Sequence, residues 1–259
     1  MTDGGVVRTV AITQSDPFFT GRFFEVFLEE APRVGVELVE VVLLRNFNES
    51  RPALFRRMAR FYGPLGTARL TARYARATIA ERRGSPHSVE GIAARHGVPV
   101  RALPSINDAT FLESLAQRDV DVLLSVAAPE ILREQALTAA PHVLNVHSGR
   151  LPDYRGMMPT FWALSDGADE VVVTVHEMAA GIDTGRVIAE FPVAIGPRDT
   201  AFDVSRNAKA VAGREVARLL STIRAPREAR PAPERAGNYY SFPTRADARR
   251  LRARGRRLL

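Results

Sequence analysis

Apolar residues follow two alternating rhythms along the chain. Residues 6–12, Val6-Val7-Arg8-Thr9-Val10-Ala11-Ile12, form a run of strand length closed by Thr13-Gln14-Ser15-Asp16-Pro17. Phe19, Phe23, Val26 and Phe27 then recur at helical spacing, a stripe that belongs to a core. The β-branched run from Gly35 to Leu44 predicts a second strand, and strand, helix, strand points to a parallel α/β unit. The rhythm breaks over 51–83. There Leu54, Phe55, Met58, Phe61 and Tyr62 lie opposite Arg56, Arg57 and Arg60, and Gly63-Pro64 divides one helix from a weaker second, as in an inserted helical hairpin. It resumes with a helix capped by Ser88 and stopped by Gly97, a short strand over 98–102, and a helix from Phe111 to Gln117 capped by Asn107 or Asp108. A strand over 120–126 follows, then a helix begun by 127–132 and a strand over 143–147. Further on come a short helix over 160–164, a strand over 170–176, a strand from 187 to 193, and a helix over 201–223 that ends the compact body. Pro226, Pro231 and Pro233 mark a linker, and 239–244 lead into a basic final helix.

Composition narrows the function classes. A chain of 259 residues with 46% hydrophobic content can bury a real core. Without cysteine there is no disulfide, thiolate nucleophile or cysteine-ligated metal. No signal-like or membrane-spanning run is visible, so a soluble, cytoplasmic protein is expected. The net charge of +7 is uneven: residues 51–83 hold nine Arg against Glu81 alone, and 224–259 hold eleven Arg against Glu228, Glu234 and Asp247. The rest is therefore acidic. Such patches suit phosphates, nucleic acid or an anionic membrane, or are solvated helix faces in a chain whose sole lysine is Lys209. The first loop lacks Gly-x-Gly-x-x-Gly, and no Gly-Lys-Ser/Thr loop occurs, which disfavours a dinucleotide or ATP site. Residues 13–17 still lie where a parallel sheet presents ligands, beyond a strand's carboxyl end.

The chemistry concentrates at Asn145-Val146-His147 and at Asp183. Asn145 and His147 are two apart on a strand and share a face. Asp183 stands in the turn-rich Gly181-Ile182-Asp183-Thr184-Gly185. An amide N–H and an imidazolium suit a tetrahedral oxyanion, while a carboxylate orients the imidazole and relays protons. This set fits acyl transfer to an amine without a covalent enzyme intermediate. A zinc site from His142, His147 and His176 lacks ligand spacing, and Ser148 lacks the Gly-x-Ser-x-Gly of a hydrolase nucleophile, so no metal is expected. His176 reads as a supporting or structural residue. Tyr154-Arg155-Gly156 reads as a turn shaping the site.

Asn145-Val146-His147, the following Leu151-Pro152-Asp153-Tyr154-Arg155-Gly156 and Asp183 thirty-eight positions after Asn145 resemble the formyltransferases that use 10-formyltetrahydrofolate. These act on glycinamide ribonucleotide, methionyl-tRNA or nucleotide sugars. The likeness covers roughly 88–195 well and 6–44 loosely. It implies a Rossmann-like, mostly parallel α/β sheet flanked by helices, and a catalytic triad of Asn145, His147 and Asp183. It also implies a folate pocket at Pro129, Glu130, Ile131 and Leu132, closed by Glu177, Ala180, Gly181 and Ile182. A catalytic domain over 1–224, with a basic insertion over 51–85, and a linker with basic extension over 225–259 are expected. Gly149 departs from the resemblance, since many members carry Ser there.

The leading expectation is formyl transfer from 10-formyltetrahydrofolate to an amine of a small molecule or sugar. A tRNA acceptor gains from the basic segments but loses because about sixty residues after the core are too few for those enzymes' carboxy-terminal barrel. Formyltetrahydrofolate hydrolysis and noncatalytic folate or anion binding are the other readings. A homodimer is compatible with the insertion.

Overall fold

The computed structural model describes residues 5–16, 18–44, 51–223 and 237–259. Seven strands form one sheet in the order β3-β2-β1-β4-β5-β7-β8. These are β1 (Val7–Gln14), β2 (Val36–Leu44), β3 (Val100–Leu103), β4 (Val122–Val126), β5 (His142–His147), β7 (Glu170–Glu177) and β8 (Val187–Ala194). The first five are mutually parallel, and β7 and β8 run antiparallel to their neighbours. The chain steps outward from β1 through β2 to β3, then returns beside β1 to build β4 and β5. That reversal makes the carboxyl ends of β1 and β4 the switch point at which sheets of this kind receive ligands. Thr13 spans it, its hydroxyl donating to the Val126 carbonyl at 2.7 Å.

Period-two alternation gives the sheet two apolar faces. Ala11, Val41, Val122, Leu124, Leu144, Val146 and Val173 face a large core against α1 (Thr20–Glu30), α3 (Val89–Arg95), α6 (Pro159–Asp166) and α7 (Ala201–Leu220). Val10, Ile12, Val42, Leu123 and Val143 face a smaller core under α4 (Ala109–Ala116) and α5 (Glu134–Leu137). The aromatic stripe of α1 lies inside as its spacing requires: Phe23, Phe24 and Phe27 are fully buried, each worth roughly 2–3 kcal/mol of transfer free energy. Phe24 widens the stripe beyond the residues singled out above. The backbones of α1 and α7 meet closely at Gly213, where a Cβ would come within 2.5 Å of the Phe23 carbonyl oxygen.

Local signals act where expected. The Ser88 hydroxyl caps α3 by accepting from Gly91 N at 3.0 Å, and of the two candidates before α4 it is Asp108 that caps, accepting from Phe111 N at 2.9 Å. β1 runs on through Thr13 and Gln14, and β8 is continuous across Pro192. The helix expected to begin at 127–132 is corrected. Ala127 takes φ 54, and the segment to Arg133 is irregular, with only the short α5 after it. Pro129 and the left-handed Ala127 turn the chain before a helix can start.

The two basic segments both join the body. α2 (Arg51–Arg82) is broken at Gly63, whose φ of 74 and ψ of 175 put two helices end to end at Gly63-Pro64. Its Phe61 and Tyr62 enter the main core. The compact body does not stop near residue 223. β9 (Tyr239–Tyr240) pairs with β6 (Arg155–Gly156), and α8 (Arg245–Ala253) buries Ala248 and Leu251 in the same core. The Trp162 indole donates to Ser241 O at 3.2 Å, and Arg57 stacks over Phe242 at 4.5 Å, so insertion and carboxy-terminal segment pack on each other. The linker prolines Pro226, Pro231 and Pro233 lie outside the described residues.

Candidate active site

β5 ends at His147, and the register of its antiparallel neighbour decides what stands next to the site. Asn145 is opposite His176 and His147 is opposite Thr174, so four polar side chains share one face at the strand ends. Thr174 donates to Gly149 O at 2.7 Å and holds the turn after His147. Between β7 and β8 the chain turns back through Asp183, a non-glycine residue at φ 52, and places its carboxylate against this face. Aspartate tolerates left-handed backbone better than most residues, because its short polar side chain can bond locally, so it suits this turn.

The polar groups interlock. Asn145 Nδ2 lies 3.0 Å from His176 Nε2 and 3.4 Å from Asp183 Oδ1. His176 Nδ1 is 2.8 Å from Glu177 O, which only accepts, so Nδ1 carries a proton, and Nε2 stands between the Asn145 amide and Asp183 Oδ1, 3.6 Å from the latter. His147 Nε2 is 2.6 Å from Tyr154 O, which fixes the proton on Nε2 and turns Nδ1 toward Asp183 Oδ2 at 3.5 Å. The same carboxylate oxygen accepts from Gly156 N at 2.8 Å. Burial pushes the His147 imidazole below its ordinary pKa, opposed by Asp183 and the Tyr154 carbonyl. Burial alone would raise Asp183, but the His176 and His147 rings and the Gly156 N–H outweigh it and hold the carboxyl below the usual range. The arrangement therefore keeps an anion beside an imidazole that accepts a proton only when something draws one in.

Asn145, His147 and Asp183 are thus brought together, and His176 joins them. His176, expected as a supporting or structural residue, is shown by the register of β7 against β5 to support Asn145. The departure at Gly149 also has a physical reason. A Cβ there would come within 2.5 Å of Pro159 Cβ and 3.1 Å of His147 Nε2, so α6 packs where a serine side chain would stand. Arg155 turns away to the carboxy-terminal segment, donating through Nη2 to Gly237 O at 3.1 Å.

The expected pocket residues divide by exposure. Ile131 and Ile182 present their apolar side chains at 58% and 42% exposure, from the two loops on either side of the strand ends. Leu132 is buried and anchors its loop in the smaller core. The Glu130 carboxylate is spent on Ser105 Oγ, Ile106 N and Asn107 Nδ2 at 2.6–2.9 Å, and Asn107 in turn donates to Ile131 O and accepts from Arg133 N. Glu130 therefore fixes the backbone around half-buried Pro129. Glu177 pairs with Arg186, while Ala180 and Gly181 are exposed in the facing loop. A Cβ on Gly185 would collide with the Glu177 carbonyl, so that loop closes on β7 only with glycine there. Among the described residues no group of three or more His, Cys, Asp or Glu could hold a metal, and no helix is long and apolar enough to cross a membrane.

Solved structures with this architecture include glycinamide ribonucleotide transformylase 1 from Symbiobacterium toebii, 21% identical, with a TM-score of 0.56 over 85% of this chain and 89% of that one. Phosphoribosylglycinamide formyltransferase from Bacillus halodurans is 16% identical, with a TM-score of 0.56 over 83% and 94%. A sugar N-formyltransferase from a Shewanella species is 13% identical, with a TM-score of 0.52 over 95% and 86%. At these identities they establish the fold, a Rossmann-like sheet flanked by helices. Residues 72–220 match the family described as formyl transferase, a span that holds Asn145, His147, His176 and Asp183. With more than half of its length in that match, the chain belongs to the formyl transferase family.

Proposed function

We propose that this enzyme moves the formyl group of 10-formyltetrahydrofolate to an amine of a small molecule or sugar, at a site made by Asn145, His147 and Asp183. The observation that carries the reading is the convergence of an amide and an imidazole on one carboxylate, at 3.4 and 3.5 Å, from positions up to thirty-eight residues apart. Attack of a neutral amine on the formyl carbon places negative charge on the carbonyl oxygen. The Asn145 N–H that makes only a 3.4 Å contact with Asp183, and a protonated His147 Nδ1, are the donors suited to that oxygen. Asp183 favours the protonated ring and takes the proton released by the attacking nitrogen, directly or through water. That proton passes from Asp183, directly or through water, to N10 as the bond from N10 to the formyl carbon breaks. His176 holds the Asn145 amide in orientation. The backbone of Pro129–Leu132 and the loop of Glu177, Ala180, Gly181 and Ile182 would hold the folate ring, with Ile131 and Ile182 offering apolar surface to a flat heterocycle.

The test uses purified protein, 10-formyltetrahydrofolate and a panel of amines, following loss of the formyl donor. Asp183→Asn and His147→Ala should each lower kcat/KM by about 10²–10⁴ while the protein stays folded. Turnover like wild type in both variants would remove the mechanism.

A further inference from the structure

Two backbone groups set the state of the reacting side chains. The Tyr154 carbonyl keeps a proton on His147 Nε2, at 2.6 Å, and the Gly156 N–H meets Asp183 Oδ2 at 2.8 Å. Both belong to the irregular stretch after β5, in which the only regular piece is the two-residue β6. A strand that short is marginal by itself. Its outer edge is answered by residues 237–241, which lie beyond residue 220, where the family match ends. On either side of Gly156, Arg155 N donates to Asn238 O at 3.0 Å and Met157 N to Tyr240 O at 2.8 Å. The Arg155 side chain adds its bond to Gly237 O. The approach is close at both ends: a Cβ on Gly237 would collide with the Pro152 carbonyl, and one on Gly156 with the Tyr240 carbonyl. The Tyr240 ring lies between Tyr154 and Trp162, stacked at 5.8 and 4.7 Å between ring centres, and the Trp162 indole is bonded to the next residue, Ser241. Stacked rings prefer a defined offset, so this wedge fixes spacing as well as filling volume.

We infer that Tyr240 is a positioning residue for His147 and Asp183: wedged between Tyr154 and Trp162, it clamps residues 237–241 onto β6 and so holds the Tyr154 carbonyl on the imidazole and the Gly156 N–H on the carboxylate. The inference rests on the proposed formyl transfer only in treating that pair as the reacting one. Tyr240 stands one contact back from the chemistry and acts through Tyr154 and Gly156. The charges that face the His147 ring come from Asp183 in the β7–β8 turn, His176 on β7 and Lys209 on α7, and a change at 237–241 alters none of them.

Imidazole nitrogen NMR reads His147 with no substrate present, its signals assigned by their loss in His147→Ala. Wild type above the titration should hold the proton on Nε2. In Tyr240→Ala, and in Gly237→Ala, whose methyl pries the strap from Pro152, the proton should move toward Nδ1, which faces Asp183. The titration midpoint should fall in both, because the carbonyl that favours the protonated ring is lost. Tyr240→Phe gives up only the 3.4 Å bond to Asp166 Oδ2 and should keep the wild-type spectrum. Leu28→Ala, buried in the main core on α1, lowers stability away from the strap and should leave His147 unchanged. A wild-type tautomer in both strap variants, or an equal change in Leu28→Ala, overturns the inference. In turnover, Tyr240→Ala should lose about tenfold or more in kcat, with the donor KM within about twofold and recovery in Tyr240→Phe; an unchanged kcat overturns the positioning role. A tautomer shift in the strap variants, with no amine formylated by wild type, would sustain the strap and reject the proposed function instead.

Discussion

The cleft at the end of β5 and the layer formed by α2 and α8 arrange charge in opposite ways. In the cleft, Asn145, His147, His176 and Asp183 are nearly buried, and each is aimed by a named partner at 2.6–3.6 Å. In the layer, Arg56, Arg60, Arg69, Arg76, Arg245 and Arg249 reach solvent, and cationic groups outnumber acids. Water screens the second set, so each charge contributes little. In the first set low local polarity magnifies every contact, and a single atom decides the state of its neighbours.

The contrast can be broken most sharply by activity. Replacing His147 with Ala, or Asp183 with Asn, should remove about 3–5 kcal/mol of transition-state stabilisation, whereas the triple change Arg56→Ser, Arg60→Ser and Arg245→Ser should leave kcat/KM within twofold. Similar losses in the two sets would erase the distinction. Next in size is packing behind the cleft. Gly185→Ala forces a methyl against the Glu177 carbonyl and should cost roughly 1–3 kcal/mol in denaturant unfolding, more than any single arginine removed from the layer.

Acid should sharpen the contrast with a smaller effect. Both His147 and Asp183 are held below their ordinary pKa values, so each contributes stability that is present above its unfolded-state value and lost as pH falls through its folded one. Stability should therefore decline first as pH drops below the ordinary imidazole range, and again below the carboxylate range. Thermal melts of Asp183→Asn should show a smaller second decline, the remainder coming from Glu81 and Asp203, which are also held low by hydrogen bonds. Smallest of all, the arginine triple variant should shift stability by no more than about 0.5 kcal/mol per site, measured at moderate salt.

Much of this was legible in the residues, for local reasons. Ser88, Asp108 and Gly63-Pro64 act through neighbours within four positions, and the strands declare themselves by β-branched runs. Asn145 and His147 could be paired because a strand has period two, and Asp183 through a resemblance. What stayed hidden depends on contacts between distant segments. His176 becomes a partner of Asn145 through the register of β7 against β5, which no run of residues encodes. Gly149 is demanded by Pro159, ten positions on. The return of residues 237–259 was missed because arginines dominate their pattern, while the burial rests on Ala248, Leu251 and Leu258, with Tyr240, Phe242 and Leu259 packed beside them.

That return has a consequence at the head of α7. Ala201 N and Phe202 N, amides that a helix cannot satisfy from within, donate to the carbonyls of Arg257 and Leu258 at 2.8 and 3.1 Å. The tail thereby works as a stopper, and the ring it seats is the one on which Arg73 rests. Pulling the stopper would leave both amides unanswered and slacken the first turn of α7 while leaving β5 untouched, so shortening the chain from its carboxyl end should lower the melting temperature before it slows the reaction itself.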